Sequence, residues 1–138
     1  MIYVDTSVAL AELLAEDRRP AESFWTQTLV SSRLLEYEVW IRVHARKLAR
    51  SHGEAARALM GRVALLELVS PVLTRALEPF PKPVRTLDAL HLASTEFLRD
   101  RQPAIRLATY DSRQAAAAKA MGIALYDLDG HGREVTSR

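Results

Sequence analysis

Four carboxylates stand where a carboxylate is costly to place for packing alone. Asp5 closes the short apolar run Ile2-Tyr3-Val4, Glu38 lies within a long amphipathic stretch, Asp88 opens an apolar segment ending at Leu98, and Asp111 follows the apolar run Ile105 to Ala108. Burying an ionised carboxylate without a partner is strongly unfavourable, so such residues call for a cation, a metal ion or an altered protonation state. The chain contains no Cys, and His44, His52, His91 and His131 form no pair at the i,i+4 spacing of helical metal ligands. Acids without soft ligands select Mg²⁺ or Mn²⁺ over zinc. Such ions bind phosphates and can activate water for in-line attack on a phosphodiester.

Each acid also has a plainer reading. Asp5 or Thr6 caps the first helix, Asp88 complements a helix dipole from the first turn, Asp111-Ser-Arg-Gln114 has the form of a capping box, and Glu38 pairs with Arg42 four residues on. Convergence favours chemistry. Asp5 and Asp111 both stand at strand-to-helix junctions, which parallel strands bring to the one sheet edge where open α/β folds bind ligands. For His91, three residues after Asp88, packing and a hydrogen bond to a site acid both stay open.

The elements that must position these residues follow from periodicity and punctuation. Strands are expected at Ile2–Val4, Leu29–Val30, Glu67–Val69, Ile105–Ala108 and Ile123–Tyr126. Helices are expected over Val8–Ala15, from Pro20 through Trp25, over Arg33–Arg50 behind the caps Ser31 and Ser32, over Glu54–Leu66 after the Ser51-His52-Gly53 break, from Ser70 to Leu77, over Leu87–Leu98 and over Asp111–Met121. Glu78 to Val84 holds three prolines and is a loop, Gly122 is a C-cap, and residues from Asp127 on form a mobile tail. Strands alternating with helices predict a parallel sheet covered on both faces.

On a helical wheel at about 100° per residue, Leu34, Ile41, Ala45 and Leu48 share a face, with Glu38 on its flank and Glu36 roughly 160° from Glu38. Glu38 rather than Glu36 should therefore enter the site. Val39, Trp40 and Val43 then form a second apolar side, either a partner surface or a second internal layer. Arg42, Arg46 and Arg50 form one stripe, which either guides nucleic-acid phosphates or is a solvated face.

Composition narrows the class. One hundred and thirty-eight residues with 49% hydrophobic and 26% charged side chains describe a single globular domain. The absence of Cys excludes a disulfide framework and suits a reducing cytoplasm. A strand expected right after Met1 predicts the absence of a basic-then-apolar leader, and no apolar run approaches a membrane span. The net charge is only +2, but the pI is about 9.2 with Arg predominating, which is compatible with nucleic acid. A GC-rich coding sequence would produce the same Arg and Ala enrichment.

Four stretches together resemble a known family: Ile2-Tyr-Val-Asp-Thr-Ser-Val8, Ser31-Ser-Arg-Leu-Leu-Glu-Tyr-Glu38, Arg85-Thr-Leu-Asp-Ala-Leu-His-Leu-Ala93 and Leu107-Ala-Thr-Tyr-Asp111. The pattern is similar to the PIN-domain ribonucleases, and within them to the VapC-type toxins of bacterial toxin-antitoxin pairs. The resemblance implies a single PIN domain over residues 1–138 with a three-layer α/β/α fold and about five parallel strands. It also implies a Mg²⁺-dependent endonuclease of single-stranded RNA, with Mn²⁺ able to substitute, that forms a homodimer and is inhibited by a small antitoxin. By resemblance Asp5, Glu38, Asp88 and Asp111 are the catalytic and metal-binding acids, with Thr6 and Thr109 as polar neighbours. Glu36-Tyr37 departs from the basic or small pair of many relatives, which bears on local RNA or antitoxin contacts. A catalytically silent RNA- or protein-binding module is the alternative, and a haloacid dehalogenase-type phosphotransferase is disfavoured because Ser7 stands where a second Asp is needed.

Overall fold

The computed structural model describes residues 1–129. Its strands are β1 Ile2–Val4, β2 Leu29–Ser32, β3 Ala64–Leu66, β4 Arg106–Ala108 and β5 Ala124–Leu125. They form one all-parallel sheet in the order β3-β2-β1-β4-β5. The helices are α1 Thr6–Leu13, α2 Arg33–Ala45, α3 Ala49–Met60, α4 Ser70–Ala76, α5 Thr86–Arg99 and α6 Ser112–Ala120. The chain winds outward from β1 to β3, then returns to lay β4 on the other flank of β1. Strand order thus reverses beside β1, which opens a crevice at the carboxyl ends of β1 and β4.

Side-chain alternation along β1 feeds two cores. Ile2 and Val4 pack with Val8 and Leu13 of α1, Leu35, Val39 and Val43 of α2, and Ala56 and Leu59 of α3. Tyr3 points the other way, into a cluster with Leu107 of β4, Leu92 and Leu98 of α5, and Ala117 and Ala118 of α6. The alanines leave room for α6 to lie close on the sheet. The result is the three-layer α/β/α architecture, with six helices flanking the five parallel strands.

Several expected boundaries move. The long helix Arg33–Arg50 ends at Ala45, and α3 begins at Ala49, four residues before Gly53 rather than after it. The chain turns at Lys47, which adopts a left-handed φ of 57°, while the amide of Leu48 donates to Val43 O at 2.8 Å. This is a C-terminal helix stop made without glycine. The third strand lies at Ala64–Leu66, not at Glu67–Val69, and the segment after Pro20 is a 3-10 turn at Glu22–Thr26. Residues placed in a mobile tail are partly anchored: Leu128 packs on the first core, and Asp129 pairs with Arg18 at 3.2 Å. Residues 130–138 of that expected tail lie outside the described residues.

The phase of α2 also differs from the wheel. Its buried residues are Leu35, Val39 and Val43, whereas Leu34 is half-buried and Ile41 is 66% exposed. The core face lies roughly 150° from the expected Leu34-Ile41-Ala45-Leu48 stripe. Trp40 is half-buried against the core with Arg57 of α3 over its ring, so it belongs to a second internal layer. The Arg42-Arg46-Arg50 stripe is broken as well, because Arg46 caps α2 and Arg50 lies on α3.

Leu35 has no exposed surface. Leu35→Ala should cost about 2–5 kcal/mol in urea unfolding, and Ile41→Gln should stay within about 0.5 kcal/mol. Comparable losses at the two positions would contradict this phase of α2.

Candidate active site

The register Val4↔Ala108 sets Asp5 and Thr109 side by side, and the Asp5 amide extends the ladder by donating to Ala108 O at 3.0 Å. Asp5 is 4% exposed and caps α1. Its Oδ2 accepts from the Ser7 amide at 3.2 Å, the Ser7 hydroxyl at 2.6 Å and the Thr109 hydroxyl at 2.9 Å. Thr109 Oγ1 in turn accepts from the Asp111 amide at 3.0 Å, and Ser7 Oγ accepts from the Tyr110 amide at 2.9 Å. Two hydroxyls thereby tie the end of β1 to the end of β4. Asp111 caps α6 through Oδ1, which accepts from the amides of Arg113 and Gln114. Capping and site placement prove compatible at both aspartates.

Glu38 reaches the same crevice from α2. Its Oε1 accepts from the Thr6 hydroxyl at 2.8 Å and lies 2.6 Å from His91 Nε2. His91, 1% exposed on α5, places Nδ1 2.7 Å from the buried Tyr3 hydroxyl and Nε2 also 3.2 Å from Thr6 Oγ1. Burial lowers the imidazole pKa, but the Tyr3 oxygen, the hydrogen bond to Glu38 and the charges of Asp5 and Glu38 outweigh it, and the pKa is pushed up to about 10. The ring is therefore a buried imidazolium donating to Glu38. Of the two readings open for His91, the hydrogen bond to a site acid holds within a packed position.

Asp88 enters from the first turn of α5. Burial and the Asp111 charge raise its carboxyl above the usual carboxylate range; Arg85 opposes this and Asp5 adds to it. Arg85 sits between two acids, with Nε 3.4 Å from Asp88 Oδ2 and Nη2 3.2 Å from Asp111 Oδ2. All four acids line one cavity of about 290 Å³, together with Thr6, Ser7, Leu10, Ile41, Arg42, Arg85 and Leu87. Glu36 does not line it and pairs instead with Arg33 at 3.6 Å. Glu38 thus enters the site although the wheel argument that selected it was misphased.

The donor set suits a hard divalent cation, since only oxygen ligands converge there. Even so, among the described residues no three His, Asp or Glu side chains stand close enough to hold one ion. Arg85 bridges Asp88 and Asp111, while Thr6 and His91 hold Glu38. Arg42 lines the cavity, whereas exposed Arg46 does not. The sequence did not single out Arg85, Ser7 or Tyr3. Arg85 stands three residues before Asp88 at a helix start, a spacing that suits a local ion pair, but its pairing with Asp111 is tertiary.

The PIN domain family pattern matches residues 2–120. The chain belongs to the PIN-domain family. It is 35% identical over 127 residues to "Ribonuclease VapC46" of Mycobacterium tuberculosis, covering 90% of this chain and 95% of that protein. It is 30% identical over 129 residues to "Ribonuclease VapC47" of the same species, covering 88% and 93% of the two chains. "Ribonuclease VapC35" matches at 28% identity over 131 residues, 91% of this chain and 95% of that one. In this PIN domain the four acids named from the sequence meet in one crevice.

The raised pKa of His91 has a definite sign for stability. An imidazolium favoured in the folded state stabilises fully below the unfolded pKa near 6.5, and that contribution is lost as pH rises through about 10. In EDTA, the urea midpoint of the wild-type protein should therefore fall more steeply between pH 7 and 10 than that of Glu38→Gln. Parallel profiles for the two proteins would rule out the buried ion pair.

Proposed function

We propose that this PIN domain is a divalent-metal-dependent endonuclease of single-stranded RNA and the toxin of a toxin-antitoxin pair. The observation that carries this is the meeting of Asp5, Glu38, Asp88 and Asp111, from four separate segments, around one cavity at the reversal point of the sheet. Similarity to the VapC ribonucleases over nearly the whole chain supports the same substrate. The acids would hold Mg²⁺, or Mn²⁺ in its place. When bound, the ion would supply positive charge to the scissile phosphate and make water a competent nucleophile, leaving a 5′-phosphate and a 3′-hydroxyl.

The chain's own residues prepare this chemistry. Ser7 and Thr109 fix the Asp5 carboxylate, and Thr6 and His91 fix that of Glu38. Arg85 offsets part of the charge of Asp88 and Asp111 and would have to give way to a cation held by those two acids. Arg42, exposed at the rim, would meet an RNA phosphate. Ile41, Leu87 and the nearby Tyr37 leave apolar surface exposed on this side of α2 and at the start of α5. We assign a protein partner, the antitoxin or a second copy in a homodimer, to that surface rather than to Trp40. Among the described residues no helix is long and apolar enough to cross a membrane. A cytoplasmic setting and a single domain over residues 1–138 complete the proposal.

Purified protein freed of any small partner should cleave single-stranded RNA with Mg²⁺ or Mn²⁺ and lose that activity in EDTA. Asp5→Asn and Asp88→Asn should each abolish cleavage while the fold persists, Glu38→Gln should greatly reduce it, and Glu36→Gln should leave it near wild type. Cleavage by both Asn variants in EDTA would defeat the proposal.

A further inference from the structure

The acidic cavity has a larger neighbour. A groove of about 550 Å³ lies beside it, lined by Lys82, Pro83, Val84 and Arg85 from the proline-rich loop and by Arg113 and Ala116 from α6. Arg85 lines both cavities, so they are neighbours sharing one side chain. No acid lines this groove, and three cations do. Among the described residues neither Lys82 nor Arg113 has an ion-pair partner, although Arg85 is held by Asp88 and Asp111. Pro83, Val84 and Ala116 supply an apolar wall between the charges. Its size falls within the range of about 300–1,000 Å³ in which small organic ligands are bound.

We propose that this groove seats the nucleotide flanking the scissile phosphate of a single-stranded RNA, a subsite that presupposes RNA as the substrate. The complementarity is specific in two ways. A backbone phosphate meets Lys82 and Arg113, and the face of a base lies on the apolar wall, which accepts any base because every base has a flat π face. The acidic cavity by itself repels a polyanion, so attraction has to come from beside it. Besides Arg42 in the acidic cavity itself, the groove supplies the uncompensated cations Lys82 and Arg113 next to it. Arg85 links the two cavities: leaving Asp88 and Asp111, it remains at the groove's edge, where a phosphate can take it up.

The test uses a fluorescein-labelled oligouridylate of ten nucleotides, titrated by anisotropy with the wild-type chain in EDTA over a range of salt concentrations. Lys82 and Arg113 are exposed, so Lys82→Ala/Arg113→Ala should fold as the wild type does, which circular dichroism checks. The double variant should bind about tenfold more weakly and lose about 1.4 from the slope of log K against log salt, since each phosphate contact on a single strand contributes about 0.7. Arg46→Ala/Arg50→Ala, two exposed cations that line neither cavity, should keep the wild-type slope. An unchanged slope in the groove variant, or an equal loss in both variants, overturns the subsite while leaving RNA binding intact. Wild-type protein that binds no oligouridylate overturns the proposed RNA substrate itself. If the groove variant binds RNA normally but releases a protein partner that the wild type retains, the groove is a protein-docking surface and the proposal fails.

Discussion

Everything in the crevice depends on the parallel pairing of β1 with β4. Strands of three residues each carry that pairing, in the register Ile2↔Arg106, Tyr3↔Leu107 and Val4↔Ala108. Because side chains alternate along a strand, this register also decides which face each one serves. A slip by one residue would turn Tyr3 away from His91 and carry Asp5 off the Thr109 hydroxyl. The register is fixed on both sides. Below it stand buried apolar side chains from two cores; above it the Ser7 and Thr109 hydroxyls bind across the junction, holding Asp5 and Asp111 to one another through short hydrogen bonds.

Concentrating four carboxylates in one crevice is an electrostatic problem, and the chain answers it locally. Asp5 and Asp111 each accept helix N-terminal amides, which set partial positive charge against them. Glu38 has a buried imidazolium against it, and Asp88 and Asp111 share a guanidinium. Four negative charges thus face two paired cations from the same chain, with Arg42 as a third at the rim. The two cations differ in mobility: His91 is locked between Tyr3 and Glu38, whereas Arg85 is 70% exposed and held at longer distances. One fixes the shape of the site, and the other can move.

The strands and junctions that place the acids were legible because their signals are local. Short apolar runs ending in Asp-Thr-Ser or Thr-Tyr-Asp mark β1 and β4, and both Asp residues cap as their neighbours suggest. The end of α2 was illegible because Lys47 adopts a backbone conformation usually signalled by glycine, while the visible Gly53 lies inside α3. The phase of α2 misled for a different reason. Ile41 is as apolar as any core residue but lines the rim of the acidic cavity, so hydrophobicity alone could not tell a functional surface from a buried one. β3 was misplaced because it lies at the sheet edge and is half exposed, and Ala64-Leu65-Leu66 lacks the β-branched residues that mark a strand. Arg85 acts through an ion pair with a residue 26 positions away, which no local pattern encodes.

The pairing of β1 with β4 joins segments about as far apart as the fold allows, since Asp5 and Thr109 are separated by 104 residues. Contacts of such long sequence separation carry a heavy loop-closure cost and form late. During synthesis β1 emerges first and has to wait for β4 as its second neighbour. Until then Asp5 lacks Thr109, the sheet has no reversal point and Asp111 is absent from the crevice. The order of the strands therefore acts as a timing device: a growing chain carries three of the four acids before it has a cleft to put them in, and the site assembles only as the sheet closes around its first strand.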